Sequence, residues 1–133
     1  MKALFILYVA DQEASASFYS RVLGKAPDLH VPGMTEFDLG DGATLGLMPA
    51  RGIKRLLGAT LPVPGTAQGI PRCELYLTVA SAESYHRRAL DAGARELSGL
   101  SLRAWGDTVA YSLDLDGHVL AFAERDRAAR RGT

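Results

Sequence analysis

This chain of 133 residues has no net charge, a single cysteine and no long apolar run. The 15 Lys and Arg residues balance 15 Asp and Glu residues, so we expect no general polyanion binding and no nucleic-acid partner. No apolar run approaches the roughly 18 residues of a membrane-spanning helix, and the segment ALFILYVA lacks the flanks of a signal peptide. These absences predict a cytoplasmic protein with no membrane partner.

Residues that commonly carry chemistry are also few. The single cysteine, Cys73, excludes an intramolecular disulfide and a cysteine-rich metal site, and we expect it to be a small buried residue. Only three histidines are present, and His86, beside Arg87 on a predicted helix, is expected to be solvated. The sequence has no glycine-rich phosphate loop, nucleophile elbow or calcium loop.

What the chain does contain is an internal repeat. The segment LYVADQEASASFYSRVLGK begins at Leu7, and the similar segment LTVASAESYHRRALDAGAR begins at Leu77. Each starts with an alternating apolar strand and continues with a residue able to cap a helix N-terminus, Asp11 or Ser81. A helix with one apolar stripe follows in each copy and ends near a glycine.

The repeat extends into the strands that follow each helix. Asp41-Gly42 and Asp116-Gly117 both predict two-residue hairpin turns, because such turns need positive φ. Aligning these turns pairs Gly46 with Ala121. Further strands are predicted around Leu29–Val31, Thr35–Leu39, Arg95–Leu97 and Thr108–Leu113. Each half is therefore predicted to be a βαβββ module, which makes the fold class α+β.

The boundaries follow from composition. We place the first module at residues 1–57, with a short helical turn around Ile53–Leu57, and the second module at residues 73–125. A Pro/Gly-rich linker, residues 58–72, separates them. Residues 126–133 form a basic tail, which we interpret as solvated. A module of this size has a marginal core alone, so we expect one domain overall.

The segments LYVADQEASASFYSRVLG and WGDTVAYSLDLDGHVLAFAE resemble the glyoxalase / bleomycin-resistance / extradiol-dioxygenase superfamily, also called vicinal oxygen chelate proteins. The resemblance covers nearly all of the chain except the linker and the tail. The sequence departs from the family pattern at Leu115, where proline is usual. The resemblance implies a fold in which the strands of two βαβββ modules form a curled mixed sheet around one cavity.

The resemblance also implies a divalent metal, held by His, Glu or Gln from the first and last strands of each module. The matching positions in this chain are Leu4, Gly46, Glu74 and Ala121. Only Glu74 has a coordinating side chain, whereas a catalytic metal usually takes about three protein ligands. We therefore expect no metal and no other cofactor.

Strand alternation then predicts which side chains line the cavity. The candidate ligand-binding residues are Ile6, Tyr8, Phe37, Met48, Tyr76, Trp105 and Ala121. Gly46 and Ala121 are expected to leave room where metal and ligands would sit. Glu74 could act as a general base or anchor a cationic ligand, although pairing with Arg72 is an alternative role.

Three functional hypotheses follow. The first is a metal-free, homodimeric protein that binds or sequesters a hydrophobic or aromatic small molecule, as resistance members of the family do. The second is a lyase, isomerase or dioxygenase-type enzyme that uses Glu74 with non-standard metal ligands or as an acid/base. The third is an interaction module without a small ligand. The sequence identifies neither the ligand nor the physiological role.

Overall fold

The computed structural model describes residues 1–125 of the chain, so the basic tail predicted at residues 126–133 lies outside the described part. The chain divides into two compact units, Met1–Gln68 and the segment from Gly69 onward. Each unit contains one four-stranded mixed sheet with a helix against it. The predicted α+β class and its two βαβββ modules are therefore confirmed.

The first unit follows the predicted order of elements. Its elements are β1 (Ala3–Val9), α1 (Gln12–Leu23), β2 (Leu29–Val31), β3 (Met34–Gly40), β4 (Ala43–Pro49) and α2 (Ala50–Leu57). In the sheet the strands lie in the order β1-β4-β3-β2, with β1 parallel to β4. Helix α2 begins earlier than the turn predicted around Ile53–Leu57. Two short 3-10 turns, Gly58–Thr60 and Pro64–Ala67, follow α2 in the predicted linker.

The second unit repeats this arrangement. Its elements are β5 (Glu74–Thr78), α3 (Ala82–Asp91), β6 (Arg95–Leu102), β7 (Asp107–Leu113) and β8 (Val119–Arg125). The strand order is β5-β8-β7-β6, with β5 parallel to β8. The parallel pair in each unit is possible because a helix and two strands separate its members along the chain.

Both long helices begin where the sequence predicts. The Asp11 carboxylate accepts a hydrogen bond from the N–H of Ala14 at 3.0 Å, and the Ser81 hydroxyl accepts one from the N–H of Ser84 at 3.2 Å. These bonds satisfy backbone donors that a first helical turn leaves unpaired. Helix α1 ends at Gly24, whose φ of 70° is in the left-handed region that glycine adopts readily.

The two hairpins differ from each other, although the sequence predicts one turn type. Asp41 and Gly42 both have positive φ, 52° and 81°, and form the expected two-residue turn. The second hairpin has a three-residue loop, because Asp114 and His118 are its closing pair. The Asp114 carboxylate accepts hydrogen bonds from the N–H groups of Asp116 and His118, at 2.9 and 2.8 Å. That carboxylate holds the longer loop together.

Each sheet has one helix-covered face and one open face. In the first sheet the helix-covered face carries Val9, Thr35, Phe37, Leu45 and Leu47, which are all fully buried. We call the opposite side open face 1; it carries Leu4, Ile6, Tyr8, Met34, Glu36, Gly46 and Met48. In the second sheet, open face 2 carries Glu74, Tyr76, Thr78, Asp107, Val109, Tyr111, Ala121 and Ala123.

Candidate functional site

Open face 1 is apolar and in large part exposed. Leu4, Ile6 and Tyr8 alternate along β1 on this side, and each is about 40% exposed. Met48 lies beside Tyr8 in the register and is partly buried. The structure therefore brings together three of the predicted ligand-binding residues, Ile6, Tyr8 and Met48.

The space at Gly46 is already occupied by its neighbours. A Cβ added there would lie 3.2 Å from Leu4 Cδ1, 3.2 Å from Ile6 Cγ1 and 3.3 Å from Met34 Sδ. These side chains close over the glycine, so the expected room for a ligand at this position is absent. The missing side chain lets β1 and β3 side chains meet above the sheet.

Open face 2 contains a hydrogen-bonded group of three side chains that the sequence does not predict. The Tyr76 hydroxyl donates to Asp107 Oδ2 at 2.5 Å and accepts from the indole N–H of Trp105 at 3.0 Å. Trp105 lies in the β6–β7 turn. Two backbone hydrogen bonds close this turn, one from Arg103 N–H to Asp107 O and one from Gly106 N–H to Arg103 O. The predicted residues Tyr76 and Trp105 therefore belong to one cluster with Asp107, and the Tyr76 hydroxyl is at its centre.

This geometry explains why residue 121 is an alanine. Tyr76 lies on β5 and Asp107 on β7, so the tyrosine side chain must cross the intervening strand β8 to make its hydrogen bond. Between these two residues, β8 presents Ala121 and Ala123 on this face, and both are fully buried. A large side chain at either position would block the crossing. Ala121 therefore supports the site from below, and the prediction that it directly lines a ligand is corrected.

The environment also holds Tyr76 in its protonated form at neutral pH. Partial burial and the hydrogen bond to Asp107 raise the pKa of Tyr76 above its ordinary value, and the bond from Trp105 opposes them. At neutral pH Tyr76 is consequently a hydrogen-bonding phenol and not a phenolate base. The cluster is suited to orienting a ligand, since two aromatic side chains are fixed beside a carboxylate.

Glu74 begins β5 on the same face and is exposed. It forms no ion pair among residues 1–125, so the alternative role in which Arg72 neutralises it is not seen in that range. Its surroundings within the second unit are solvent and not an apolar enclosure. The carboxylate is thus available to a ligand or to solvent.

A half-buried arginine borders the cluster. Arg103 Nη2 donates to Val109 O at 2.8 Å and to Ser98 Oγ at 2.9 Å, while its guanidinium carbon lies 5.1 Å from the centre of the Tyr111 ring. Its Nε is buried without a hydrogen-bond partner in the described part of the chain. Arg103 thereby fixes the base of the turn that carries Trp105, and it stacks with Tyr111 as cations do with aromatic rings.

Several expectations about single residues need correction. Phe37 is fully buried on the helix-covered face, paired with Leu45, and therefore cannot contact a ligand on open face 1. His86 is buried, not solvated, and its Nε2 lies 2.8 Å from Glu96 Oε2 because α3 turns it toward the sheet. Cys73 is exposed, since it precedes the first residue of β5. Neighbouring atoms still remove part of the water around the thiol, and this partial desolvation together with the charge of Asp114 raises the pKa of Cys73.

Two carboxylates on the open faces were missed by sequence reasoning. Asp107 belongs to the quoted WGD motif, and its parity with Val109 and Tyr111 would have placed it on open face 2. Glu36 faces Gly46 across the β3–β4 ladder, between the buried residues Thr35 and Phe37. Strand alternation along β3 and β7 is the signal in the sequence that places both carboxylates on the open faces.

The residues present do not fit the family's metal. Leu4, Gly46 and Ala121 offer no donor atom, and the space above Gly46 is filled by aliphatic side chains. In the described range, no group of three or more His, Cys, Asp or Glu side chains is arranged to hold a metal ion. We therefore derive no chemical step through a bound metal. None of the described helices is long and apolar enough to cross a membrane.

Paired βαβββ units with this strand order define a class of proteins built from two related modules. Residues 3–122 match the family model described as the Glyoxalase/Bleomycin resistance protein/Dioxygenase superfamily. The chain belongs to this superfamily. No curated protein matches the chain significantly.

Several solved structures have a fold similar to that of this chain. A glyoxalase-related enzyme from Fulvimarina pelagi is 23% identical with a TM-score of 0.79, and the match covers 94% of this chain and 88% of that one. A glyoxalase/bleomycin resistance protein/dioxygenase from Nocardioides is 20% identical with a TM-score of 0.75, covering 96% and 84%. A family enzyme from Burkholderia phytofirmans PsJN is 16% identical with a TM-score of 0.76, covering 91% and 95%. At these identities the likeness concerns the fold alone.

Proposed function

We propose that this protein binds a small hydrophobic or aromatic molecule without a metal, and that open face 2 is the principal contact surface. The observation that supports this most is the Tyr76–Asp107–Trp105 cluster. Ligand sites combine apolar walls with a few placed polar groups, and this cluster offers two aromatic side chains and one carboxylate. Trp105 is 58% exposed and therefore has free surface for stacking.

Preorganisation is the physical reason to favour this cluster. Exposed aromatic side chains lose rotational freedom when they bind, and that loss weakens affinity. Here Tyr76 makes two hydrogen bonds, so its ring and the indole are already oriented before a ligand arrives. The underlying residues Ala121 and Ala123 are fully buried and give the rings a firm base.

A thermal-shift screen of a fixed panel of small aromatic compounds, with chelator present, tests this proposal. A ligand at about 100 times its Kd should stabilise the fold by about 2.7 kcal/mol. Tyr76→Ala should abolish the stabilisation, whereas Tyr85→Phe should retain it. Tyr85 is a suitable control because its ring packs against Phe122, 5.7 Å away, outside the cluster. Absence of any stabilising compound, or equal responses from the two variants, would contradict the proposal.

We further propose a homodimer in which a second copy covers open face 1. Leu4, Ile6 and Tyr8, together with Leu29 and Val31, form an exposed apolar surface on one side of a sheet. Such surfaces commonly mark interfaces. Sedimentation of the wild-type protein should show a dimer and Ile6→Asp a monomer. A wild-type monomer would contradict this assembly.

The location of the protein in the cytoplasm remains a prediction that cell fractionation can test.

An enzymatic role is the second candidate, and one observation favours it. Glu74 is exposed on open face 2, two residues from Tyr76, and is in no ion pair among residues 1–125. A carboxylate so placed could move a proton to or from a ligand on that face. If turnover of any panel compound is found, Glu74→Gln should abolish turnover and retain binding. Unchanged turnover in Glu74→Gln would exclude this role.

A further inference from the structure

The Tyr76–Asp107–Trp105 cluster on open face 2 uses its own hydrogen-bond donors internally. The Trp105 indole has a single N–H, which it donates to the Tyr76 hydroxyl at 3.0 Å. The Tyr76 hydroxyl has a single proton, which it donates to Asp107 Oδ2 at 2.5 Å. The chain of hydrogen bonds therefore ends on a carboxylate, and an ionised carboxylate can only accept.

What the cluster leaves for a ligand is an acceptor. Asp107 is partly exposed, and its Oδ1 has no hydrogen-bond or ion-pair partner among residues 1–125. The indole nitrogen of Trp105 and Asp107 Oδ2 both lie within 3.0 Å of the Tyr76 hydroxyl oxygen, so the carboxylate is close to the exposed indole. A ring that stacks on Trp105 would therefore have an acceptor at its edge.

Glu74 adds to this acceptor capacity. It lies on the same face at the start of β5, two residues before Tyr76, and is exposed. It is in no ion pair among residues 1–125. The aromatic surface is thus bordered by two carboxylates that can accept hydrogen bonds from a ligand.

Net charge does not distinguish ligands on this face. The guanidinium carbon of Arg103 lies 5.1 Å from the centre of the Tyr111 ring, and Arg125 pairs with Asp107 in the β7–β8 ladder. These two cations offset the charges of Glu74 and Asp107. Arg103 Nη2 already donates to three oxygen atoms of β6 and β7. We therefore expect selection by the direction of the hydrogen bond and not by ionic attraction.

We propose that the ligand of open face 2 is a neutral aromatic compound whose ring carries an N–H or O–H donor, with the ring on Trp105 and the donor bonded to Asp107 Oδ1. This class rests on the function proposed above and narrows it. An aromatic compound without a donor would cover the carboxylate oxygen and leave it unpaired, which costs more than the hydrogen bond contributes. Sites built to bond an N–H or O–H group reject analogues that lack it for the same reason.

The test compares three neutral probes: indole, 3-methylindole and 1-methylindole. Only 1-methylindole lacks the N–H donor, and 3-methylindole controls for the bulk of the added methyl group. In ¹⁵N NMR titrations of the full chain with chelator present, indole and 3-methylindole should shift the Trp105 indole signal saturably and with similar affinity. 1-Methylindole should bind at least about fivefold more weakly, because it forms no hydrogen bond with the carboxylate.

Asp107→Asn tests the assigned acceptor. Its amide oxygen can still accept from Tyr76, and the group facing the ligand becomes an NH₂ donor. The preference for indole over 1-methylindole should disappear while circular dichroism shows a folded protein. Asp41→Asn is the matched control, since Asp41 is exposed in the β3–β4 turn of the first unit and its φ of 52° is one that asparagine tolerates. It should keep the preference.

Each contrary result has a separate meaning. Equal affinity of the wild-type protein for indole and 1-methylindole would overturn the donor requirement and leave open face 2 as an aromatic site. A preference that persists in Asp107→Asn, or that is lost equally in Asp41→Asn, would overturn the role of Asp107 Oδ1. If none of the three probes moves the Trp105 signal, the ligand class is wrong, whereas the thermal-shift panel decides separately whether open face 2 binds aromatic compounds.

Discussion

The hydrogen bond between Tyr76 and Asp107 can be tested by removing one hydroxyl group. Tyr76→Phe keeps the aromatic ring and leaves the Asp107 carboxylate and the Trp105 N–H without their shared partner. Hydrogen bonds to charged groups contribute about 1.5–3 kcal/mol. Tyr76 is 37% exposed, so solvent screens the bond and we expect a loss of about 1 kcal/mol in the free energy of unfolding. For a chain of this length that loss lowers the Tm by about 3–5 °C.

A double-mutant cycle separates this bond from other effects of the substitutions. Urea unfolding of Tyr76→Phe, Asp107→Asn and the double variant should give a coupling energy of about 0.5–1 kcal/mol, as groups in direct contact do. Tyr85→Phe serves as the control, because the Tyr85 hydroxyl makes no hydrogen bond in the described part of the chain. It should change stability by less than about 0.5 kcal/mol.

The same bond has a signature at high pH. The folded state raises the pKa of Tyr76 above the value of about 10 that it has in the unfolded chain. The stability from this shift is present below about pH 10 and is lost as the pH rises through the folded pKa. Tyr76→Phe should therefore show a flatter fall in stability above about pH 10. A coupling energy of zero, together with an unchanged alkaline profile, would show that the Tyr76–Asp107 hydrogen bond does not stabilise the fold.

Three further predictions concern other parts of the chain. Gly46→Val should destabilise the first unit by about 1–3 kcal/mol in urea unfolding, because its side chain would overpack the space above the sheet. Gln12→Ala should accelerate hydrogen exchange at the Gly33 amide at least about fivefold, since that N–H loses its acceptor. Burial alone would lower the pKa of His118, but the hydrogen bond and charge of Asp114 raise it overall. Stability from His118 should be present below about pH 6.5 and be lost as the pH rises through the folded pKa, and Asp114→Asn should remove this dependence in denaturation measured at several pH values.

Most of the fold is predictable from the sequence because local signals and the internal repeat agree. The caps Asp11 and Ser81 fixed the starts of both long helices, and strand alternation separated helix-facing from open-face residues. The second hairpin was mispredicted because the carboxylate of Asp114 decides its loop length. A side chain that accepts hydrogen bonds from two backbone N–H groups has more influence on the loop length than the two-residue turn preference of Asp-Gly.

The candidate site was harder to predict, since it depends on contacts between strands distant in sequence. The sequence predicts roles for Tyr76 and Trp105 but not their contacts, because the Tyr76 hydroxyl meets Trp105 across 29 residues and Asp107 across 31 residues. The internal repeat predicts that Ala121 leaves room for a ligand, whereas the residue is buried beneath the crossing side chain. Small residues in a strand can make room for a neighbouring side chain as well as for a ligand, and only the packing distinguishes the two cases.

The indole N–H of Trp105 offers the sharpest test of whether open face 2 binds an organic ligand without a metal. The chain has one tryptophan, so this group gives a single indole signal in ¹⁵N NMR. A stabilising aromatic compound is titrated into chelator-treated protein, and then again after a divalent metal is added. We expect a saturable shift of the indole signal in chelator, with the same affinity after metal addition. A shift that appears only with the metal, or an indole signal that never moves while the compound binds, would contradict it.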